Sequence, residues 1–371
     1  MEKIGHVQRF LIVNLASKIA EREEIVKDLE ELCSLIQALG KVAIVDIIQQ
    51  RAFKPDNATY IGPGKVDEVA EKVENEKIDI VILNALVKPG QVNNVKKSLW
   101  KANKAIEVWD RIDLILHIFS RHAHTSEAKL QIELARMRHM GPRIYGMGMI
   151  MSQQGGGIGG RGIGETNTEL MKRHWRDAMK KVQEQLAKLG VERERQIERR
   201  KKLGLQTVSI VGYTNAGKTS LFNRLSGKKN LTENQLFATL DSSVGRLYLP
   251  KLQKEILLSD TIGFIKNLPT KLIDAFKSTL MESIHADLLL HVIDVSDPEM
   301  EKKIVVVEEI LKDLRVDTEK KIFVFNKIDK AQMIDKITLV EKYNEYYPIF
   351  VSIKEDEGIE ELEKVIESVL L

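Results

Sequence analysis

In the stretch SIVGYTNAGKTSLFNRL (209–225), a β-branched run leads into Gly212, then Tyr213, Thr214, Asn215 and Ala216, then Gly217, Lys218 and Thr219, and then a helical apolar pattern. That order of residue types suits the binding of a polyphosphate. Glycines at both ends let the backbone N–H groups of the loop close around phosphate oxygens, and the helix that opens at Lys218 adds its partial positive charge. Lys218 brings a full charge to the terminal phosphates. The Thr219 hydroxyl is placed to ligate Mg²⁺, with Ser220 next to it in the first helical turn. The strand–loop–helix context separates this P-loop from a chance match.

A P-loop does not choose its base, but four later segments do. LFATLD (236–241) sets Thr239 among Phe237, Ala238, Leu240 and Asp241, and offers a second hydroxyl to the metal. LSDTIGF (258–264) ends a strand in Asp260, a carboxylate able to hold Mg²⁺ through water. Thr261 and Ile262 follow, then Gly263, whose N–H is placed to meet a γ-phosphate. FVFNKID (323–329) ends a strand in Asn326, Lys327, Ile328 and Asp329. A carboxylate there accepts from guanine N1 and N2; adenine has neither donor and would leave it unpaired. FVSIKEDEG (350–358) supplies Ser352, Ile353 and Lys354, whose backbone can contact guanine O6. In this order and spacing the segments predict a domain over 206–371 that binds GTP or GDP with Mg²⁺ and hydrolyses GTP, with Lys218, Thr239 and Gly263 around the γ-phosphate. Thr219, Thr239 and Asp260 are the expected metal ligands.

One position departs from the general pattern. Many signalling GTPases carry Gln directly after this glycine to orient the attacking water; here it is Phe264. A phenyl ring can neither accept a proton nor orient water by a hydrogen bond. Slow intrinsic hydrolysis is therefore expected, raised by backbone at Thr239 or Gly263, by K⁺, or by a partner that orders 233–245 and 261–271. Asn215 stands where a K⁺-dependent enzyme would place a ligand, and equally where Asn suits a tight loop; both remain open.

The elements that must carry these residues are legible in outline. RFLIVNL (9–15), KVAIVDII (41–48), IDIVILN (78–84) and KAIEVWD (104–110) read as strands separated by helical patterns at 18–39, 59–73 and 89–100. Such alternation predicts a parallel α/β domain over 1–120. Residues 121–150 and 165–202 read as two long charged helices, an antiparallel hairpin over 121–205. Its tip holds GGGIGGRGIGE (155–165). The fold class is thus α/β: a P-loop GTPase domain preceded by a parallel α/β domain and a long helical hairpin.

Charge is unevenly spread along the 371 residues. The whole chain has a net charge of +3, but 121–202 holds 18 Lys/Arg against 9 Asp/Glu, so the remainder is net acidic. A basic block of this size suits a polyanionic partner. The glycine run contains a G-x-G-x-x-G, but it follows a helix and lies in no βαβ unit, which rules against a dinucleotide fingerprint. A flexible tip that probes RNA fits better, with Gly157 and Arg161 in it and Arg143, Tyr145 and Lys172 flanking it. His117, His122 and His124 lack the ligands that would complete a metal site and read as surface or helix-end residues. IGPGK (61–65) reads as a capped helix start in preference to a phosphate site. The single cysteine, Cys33, shares a helical face with Leu29, Leu32 and Ile36 and reads as a core thiol. No apolar run reaches membrane-span length. The N-terminus lacks a signal-peptide core, so a cytoplasmic location is expected.

GYTNAGKT, FATLD, DTIGF and NKID resemble the motifs of the Obg–HflX branch of translation-factor-related GTPases. IGPGKVDE (61–68), SEAKLQIELARM (126–137) and the glycine run resemble the N-terminal region of the HflX family. The resemblance covers nearly the whole chain. It implies a GTPase that binds the large (50S) ribosomal subunit and splits or rescues stalled ribosomes, monomeric when free, with the glycine tip reaching towards the peptidyl-transferase centre. The competing expectation is a GTP-dependent signalling switch that acts on a protein without RNA.

Overall fold

The four N-terminal apolar runs form β1 (Gln8–Ser17), β2 (Val42–Ala52), β3 (Ile80–Leu83) and β4 (Glu107–Asp110), all parallel, in the order β2-β1-β3-β4. A computed structural model describes the chain outside residues 1–6, 155–166, 229–242, 266–283, 317–319 and 332–334; for 145–154 and 167–168 it describes the backbone. Leu11, Ile12 and Val13 of β1 and all four residues of β3 are buried, as strands covered on both faces must be. Helices α1 (Arg22–Gln37), α2 (Pro63–Glu76), α3 (Pro89–Leu99) and α4 (Arg111–His122) alternate with the strands. Val66, Val69 and Val73 of α2 join Val92, Val95 and Leu99 of α3 in the core under Leu11, Val13, Val81 and Leu83. The IGPGK turn is a helix start: Pro63 opens α2, where its missing N–H costs nothing, and Gly62 N–H donates to Gln50 Oε1 at 3.0 Å. Cys33 is half-buried on α1, less enclosed than its pattern predicts, and burial followed by the nearby Glu30 raises its thiol pKa.

β1 and β2 pair along their whole length, but β3 pairs only with Phe10–Val13 of β1. The ends of β1 and β2 therefore run on as a two-stranded ribbon, with Ser17 opposite Ala52.

The expected helix at 121–150 begins later. α4 ends at His122, and α5 (Ser126–Gln154) starts anew after Thr125, whose hydroxyl accepts from Ala128 N–H at 3.2 Å, a cap that restarts the helix. α6 (Asn167–Lys202) returns. Two contacts give their antiparallel register: Trp175 Nε1 donates to the Met137 carbonyl at 3.1 Å, and Arg193 pairs with Glu127 at 3.5 Å. Gly141 makes room for the Trp175 indole, since a Cβ there would sit 3.0 Å from Nε1. By contacts the chain divides into two units: Met1–Arg121 with Ile132–Glu184, and His122–Gln131 with Gln185–Leu371. Both dividing lines on the hairpin fall inside helices.

The second unit is built on a six-stranded sheet, ordered β10-β9-β8-β5-β7-β6. Its strands are β5 (Thr207–Gly212), β6 (Ser243–Leu249), β7 (Lys254–Asp260), β8 (Leu288–Asp294), β9 (Lys321–Asn326) and β10 (Ile349–Val351), with β6 antiparallel to β7 and the other pairs parallel. Helices α7 (Lys218–Ser226), α8 (Met300–Asp313), α9 (Lys336–Lys342) and α10 (Ile359–Leu370) accompany it. The strand order reverses at β5. A crevice at the carboxyl ends of the strands beside such a reversal is where open α/β sheets bind ligands. Gly212, Asp260, Asp294 and Asn326 each end a strand of this central group.

Candidate active site

The loop after β5 has the backbone that its residue types dictate. Asn215 adopts φ 62° and Gly217 φ 102°, and a Cβ at Gly217 would overlap Asn326 Nδ2. Lys218, the first residue of α7, turns back so that Nζ donates to the Tyr213 carbonyl at 2.7 Å, inside the loop. It is 6% exposed. Burial pushes its pKa down to about 8, opposed by the Asp260 carboxylate and reinforced by Lys327. Thr219 Oγ1 lies 2.8 Å from Asp260 Oδ2. A hydroxyl and a buried carboxylate so close form the hard-oxygen donor pair that Mg²⁺ prefers. The hydroxyl of Thr214 is buried and has no hydrogen-bond partner among the described residues.

The segment after Asp260 is bound to the loop through its backbone. Phe264 N–H donates to the Gly212 carbonyl at 3.1 Å, and Thr214 N–H donates to the Phe264 carbonyl at 2.8 Å. Thr261 directs its hydroxyl to the Ile210 carbonyl at 2.7 Å, and Ile262 is buried, so these two side chains serve the protein interior and carry the backbone to Gly263. A Cβ on Gly263 would lie 2.8 Å from Lys218 Nζ and 3.0 Å from Thr214 Cα. Close approach to Thr214 and Lys218 therefore leaves little room for a side chain at this position. The Phe264 ring is 1% exposed.

The residues expected to read the base converge from β9 and β10. Asn326 Nδ2 donates to the Ala216 carbonyl at 2.8 Å, and Ile353 N–H reaches Asn326 Oδ1 at 3.4 Å. Lys327, at φ 68°, donates from Nζ to the Asn215 carbonyl at 2.7 Å and pairs with Asp294 at 2.6 Å. The Ser352 hydroxyl donates to Asp329 Oδ1 at 2.8 Å and accepts from Glu355 N–H at 3.2 Å, which orients the carboxylate. Asn215 thus has the left-handed backbone that Asn tolerates, with its carbonyl held by Lys327. Phe237, Ala238, Thr239, Leu240 and Asp241 lie outside the described residues.

Family comparisons agree with this geometry. Residues 26–120 match the model described as GTP-binding GTPase N-terminal, 122–200 the GTP-binding GTPase Middle Region, and 207–327 the 50S ribosome-binding GTPase. GTPase HflX of Caldanaerobacter subterraneus subsp. tengcongensis is 41% identical over 97% of this chain and 80% of its own length. The chain belongs to the HflX family of GTPases. GTPase HflX of Escherichia coli (strain K12) is 36% identical over 91% of this chain and 77% of its own length. A solved structure of similar fold, a GTP-binding protein from the archaeon Sulfolobus solfataricus in complex with GDP, has 26% identity and a TM-score of 0.52, covering 97% of this chain and 98% of that one. Like its relatives this HflX-family chain is a GTP-hydrolysing enzyme, and among the described residues Lys218, Thr219, Asp260 and Asn326 lie together around the loop after β5.

Other residues with expected roles are placed differently. Arg143 is not available to RNA: it is 7% exposed, with one terminal nitrogen on Asp110 at 2.6 Å and the other on Asp113. Asp110 ends β4 and Asp113 lies in the first turn of α4, so α5 delivers Arg143 to two carboxylates that need a cation. His139, one turn earlier, touches the same pair at 3.1 and 3.3 Å. Asp110, Asp113 and His139 are close enough to ligate a metal, but the Arg143 guanidinium already supplies the charge a metal would bring. Lys172 lies partly exposed on α6, while Gly157, Arg161 and the Tyr145 side chain lie outside the described residues. His117 is not a surface histidine: its ring stacks on Trp109 at 4.0 Å, and burial followed by Arg136 lowers its pKa. The sequence reading passed over Asp294. Its signal was available, a carboxylate ending an apolar strand (LLLHVID) one strand away from the P-loop.

Proposed function

We propose that this chain binds the large ribosomal subunit through ribosomal RNA, splits or rescues stalled ribosomes, and couples GTP hydrolysis to its release. The observation that carries this reading is the match of 207–327 to the 50S ribosome-binding GTPase model, supported by a domain in which Lys218 and Asn326 both bond to the loop after β5. The basic surplus of 121–202 supports it. In this reading Lys218 and the loop amides hold the β- and γ-phosphates, and Gly263 N–H meets the γ-phosphate from the opposite side. Asp329, steadied by Ser352, reads guanine N1 and N2. Thr219, Asp260 and Thr239 would hold Mg²⁺, which would supply positive charge to the phosphates. Water attacks the γ-phosphorus, the bond to the β–γ bridging oxygen breaks, and GDP and phosphate result. Because Phe264 is buried, the ribosome supplies the missing assistance, with K⁺ at Asn215 as a second contributor. The protein acts in the cytoplasm and is monomeric when free.

The test is GTP turnover by the purified chain with and without large subunits, in KCl and in NaCl, with ATP as control. Strong stimulation by subunits, lost when 155–164 are deleted, supports the reading. GTP hydrolysis indifferent to subunits and to that deletion overturns it in favour of a protein-directed switch.

A further inference from the structure

The end of the β1–β2 ribbon carries features that the nucleotide site does not use. Phe53, one residue beyond β2, is 72% exposed, and Ile19, two beyond β1, is 84% exposed. Aromatic rings normally bury their faces, so an exposed phenyl at a ribbon end stands out. The Lys18 ammonium lies 4.9 Å from the centre of the Phe53 ring. Arg51 precedes it on the strand and Lys54 follows it, and both are exposed. The neighbouring carboxylate, Asp56, accepts from Ala58 N–H, Thr59 N–H and the Thr59 hydroxyl, and so is committed to its own turn. The result is an exposed ring with one ammonium against it and two further exposed cations within two residues of it in the chain.

We infer that Phe53, with Lys18, Arg51 and Lys54 around it, is a stacking platform for an unpaired RNA base. Single-stranded nucleic acid offers both things this surface lacks: a flat π face for the ring and phosphates for the cations near it. A double helix offers the phosphates but hides its base faces. Protein partners that dock on exposed aromatics generally fill a wider apolar surface than one ring and one isoleucine provide. Strand pairing continues to Ser17 and Ala52, the residue directly before the ring. The inference goes beyond ribosome association: it names a contact on the N-terminal unit that needs only an unpaired strand.

The experiment uses the full-length chain in its GDP form, a fluorescein-labelled 12-nucleotide oligoadenylate RNA followed by anisotropy, and the same RNA annealed to its complement. Single-strand binding is expected to weaken about tenfold in Phe53→Ala, the usual cost of removing one stacked base. Phe53→Trp should restore it, with extra tryptophan quenching that the wild type does not show. Lys18→Ala with Arg51→Ala should also weaken binding and flatten its salt dependence. Basal GTP hydrolysis should be unchanged in all of these variants. Equal affinity of Phe53→Ala and wild type for the single strand overturns the inference, as does binding of the duplex as tight as that of the single strand. Normal single-strand binding by Phe53→Ala with lost binding to large subunits would make Phe53 a protein-docking residue and also overturn it. A chain that binds the oligonucleotide through Phe53 but ignores ribosomal subunits leaves this inference standing and removes the ribosome reading.

Discussion

With its ammonium buried in the loop and its pKa at about 8, Lys218 is partly neutral at mildly alkaline pH until an anion arrives. Phosphates beside it favour the charged form, so nucleotide binding draws a proton to Nζ. Calorimetric titration with GDP in buffers of different ionisation enthalpy should show net proton uptake near pH 8 and almost none near pH 6. Affinity should fall as pH rises beyond 8. A second consequence belongs to Asp294, which holds Lys327 against the Asn215 carbonyl and so ties the base-reading strand to the phosphate loop. Asp294→Ala is expected to raise KM for GTP about tenfold with kcat changed by less than about twofold, because ground-state and transition-state binding lose the same contact. Steady-state kinetics checks that split. Lys218, Asp260 and Asn326 were legible as candidates because phosphate, Mg²⁺ and guanine would dictate their types, and the structure sets them around the loop after β5. Asp294 was less so, because it acts on another residue and its requirement is only one of charge.

Helix α5 contributes more than length. It brings His139 and Arg143 to Asp110 and Asp113, closing a buried group of two acids and two cations. Burial alone would raise the Asp113 pKa, but the hydrogen bond and charge of His139, with Arg143, hold it at about 2. Burial alone would lower that of His139, but its bonds to Asp110 and Asp113 raise it to about 9. Since the His139 value is raised from 6.5, its stabilisation is complete below about pH 6.5 and is lost as pH rises through 9. The Asp113 value is lowered from 3.8, so its contribution holds above that pH and is lost as pH falls through 2. Thermal melts of His139→Gln against wild type should therefore converge above pH 9 and separate below it. Arg143→Met should cost ~3–5 kcal/mol at neutral pH, because it leaves buried carboxylates undercompensated. The Phe264 element gives a contrasting expectation. Phe264→Ala removes a fully buried ring, so it should lower stability by ~3–5 kcal/mol. Single-turnover hydrolysis per folded molecule should fall far less than in Lys218→Ala. Strand positions were legible from apolar runs and agree with the structure to within a few residues. The break between α4 and α5 was not, because charge and helical spacing continue across it and only the Thr125 cap marks it.

Over the whole molecule, the excess of basic residues in 121–202 should appear as salt dependence. Binding to large subunits is expected to weaken about a thousandfold between roughly 50 and 200 mM salt, the behaviour of about six phosphate contacts. Sedimentation of the chain with subunits across that range tests it. The charge asymmetry was legible in the sequence, but the assignment of single cations was not: Arg143 sits in the basic block yet is consumed inside the fold, where linear sequence cannot show a partner 30 residues upstream. The same ion cluster bears on how the protein can be made and cut. A ribosome synthesising this chain releases Asp110 and Asp113 well before His139 and Arg143, so the first unit cannot settle its own interior until the hairpin has begun to emerge. A fragment ended at residue 120, where the composition suggests a natural boundary, would keep both buried acids and lose both of their counterions. Proteolysis or truncation intended to isolate the N-terminal sheet therefore has to spare α5, or the product should aggregate.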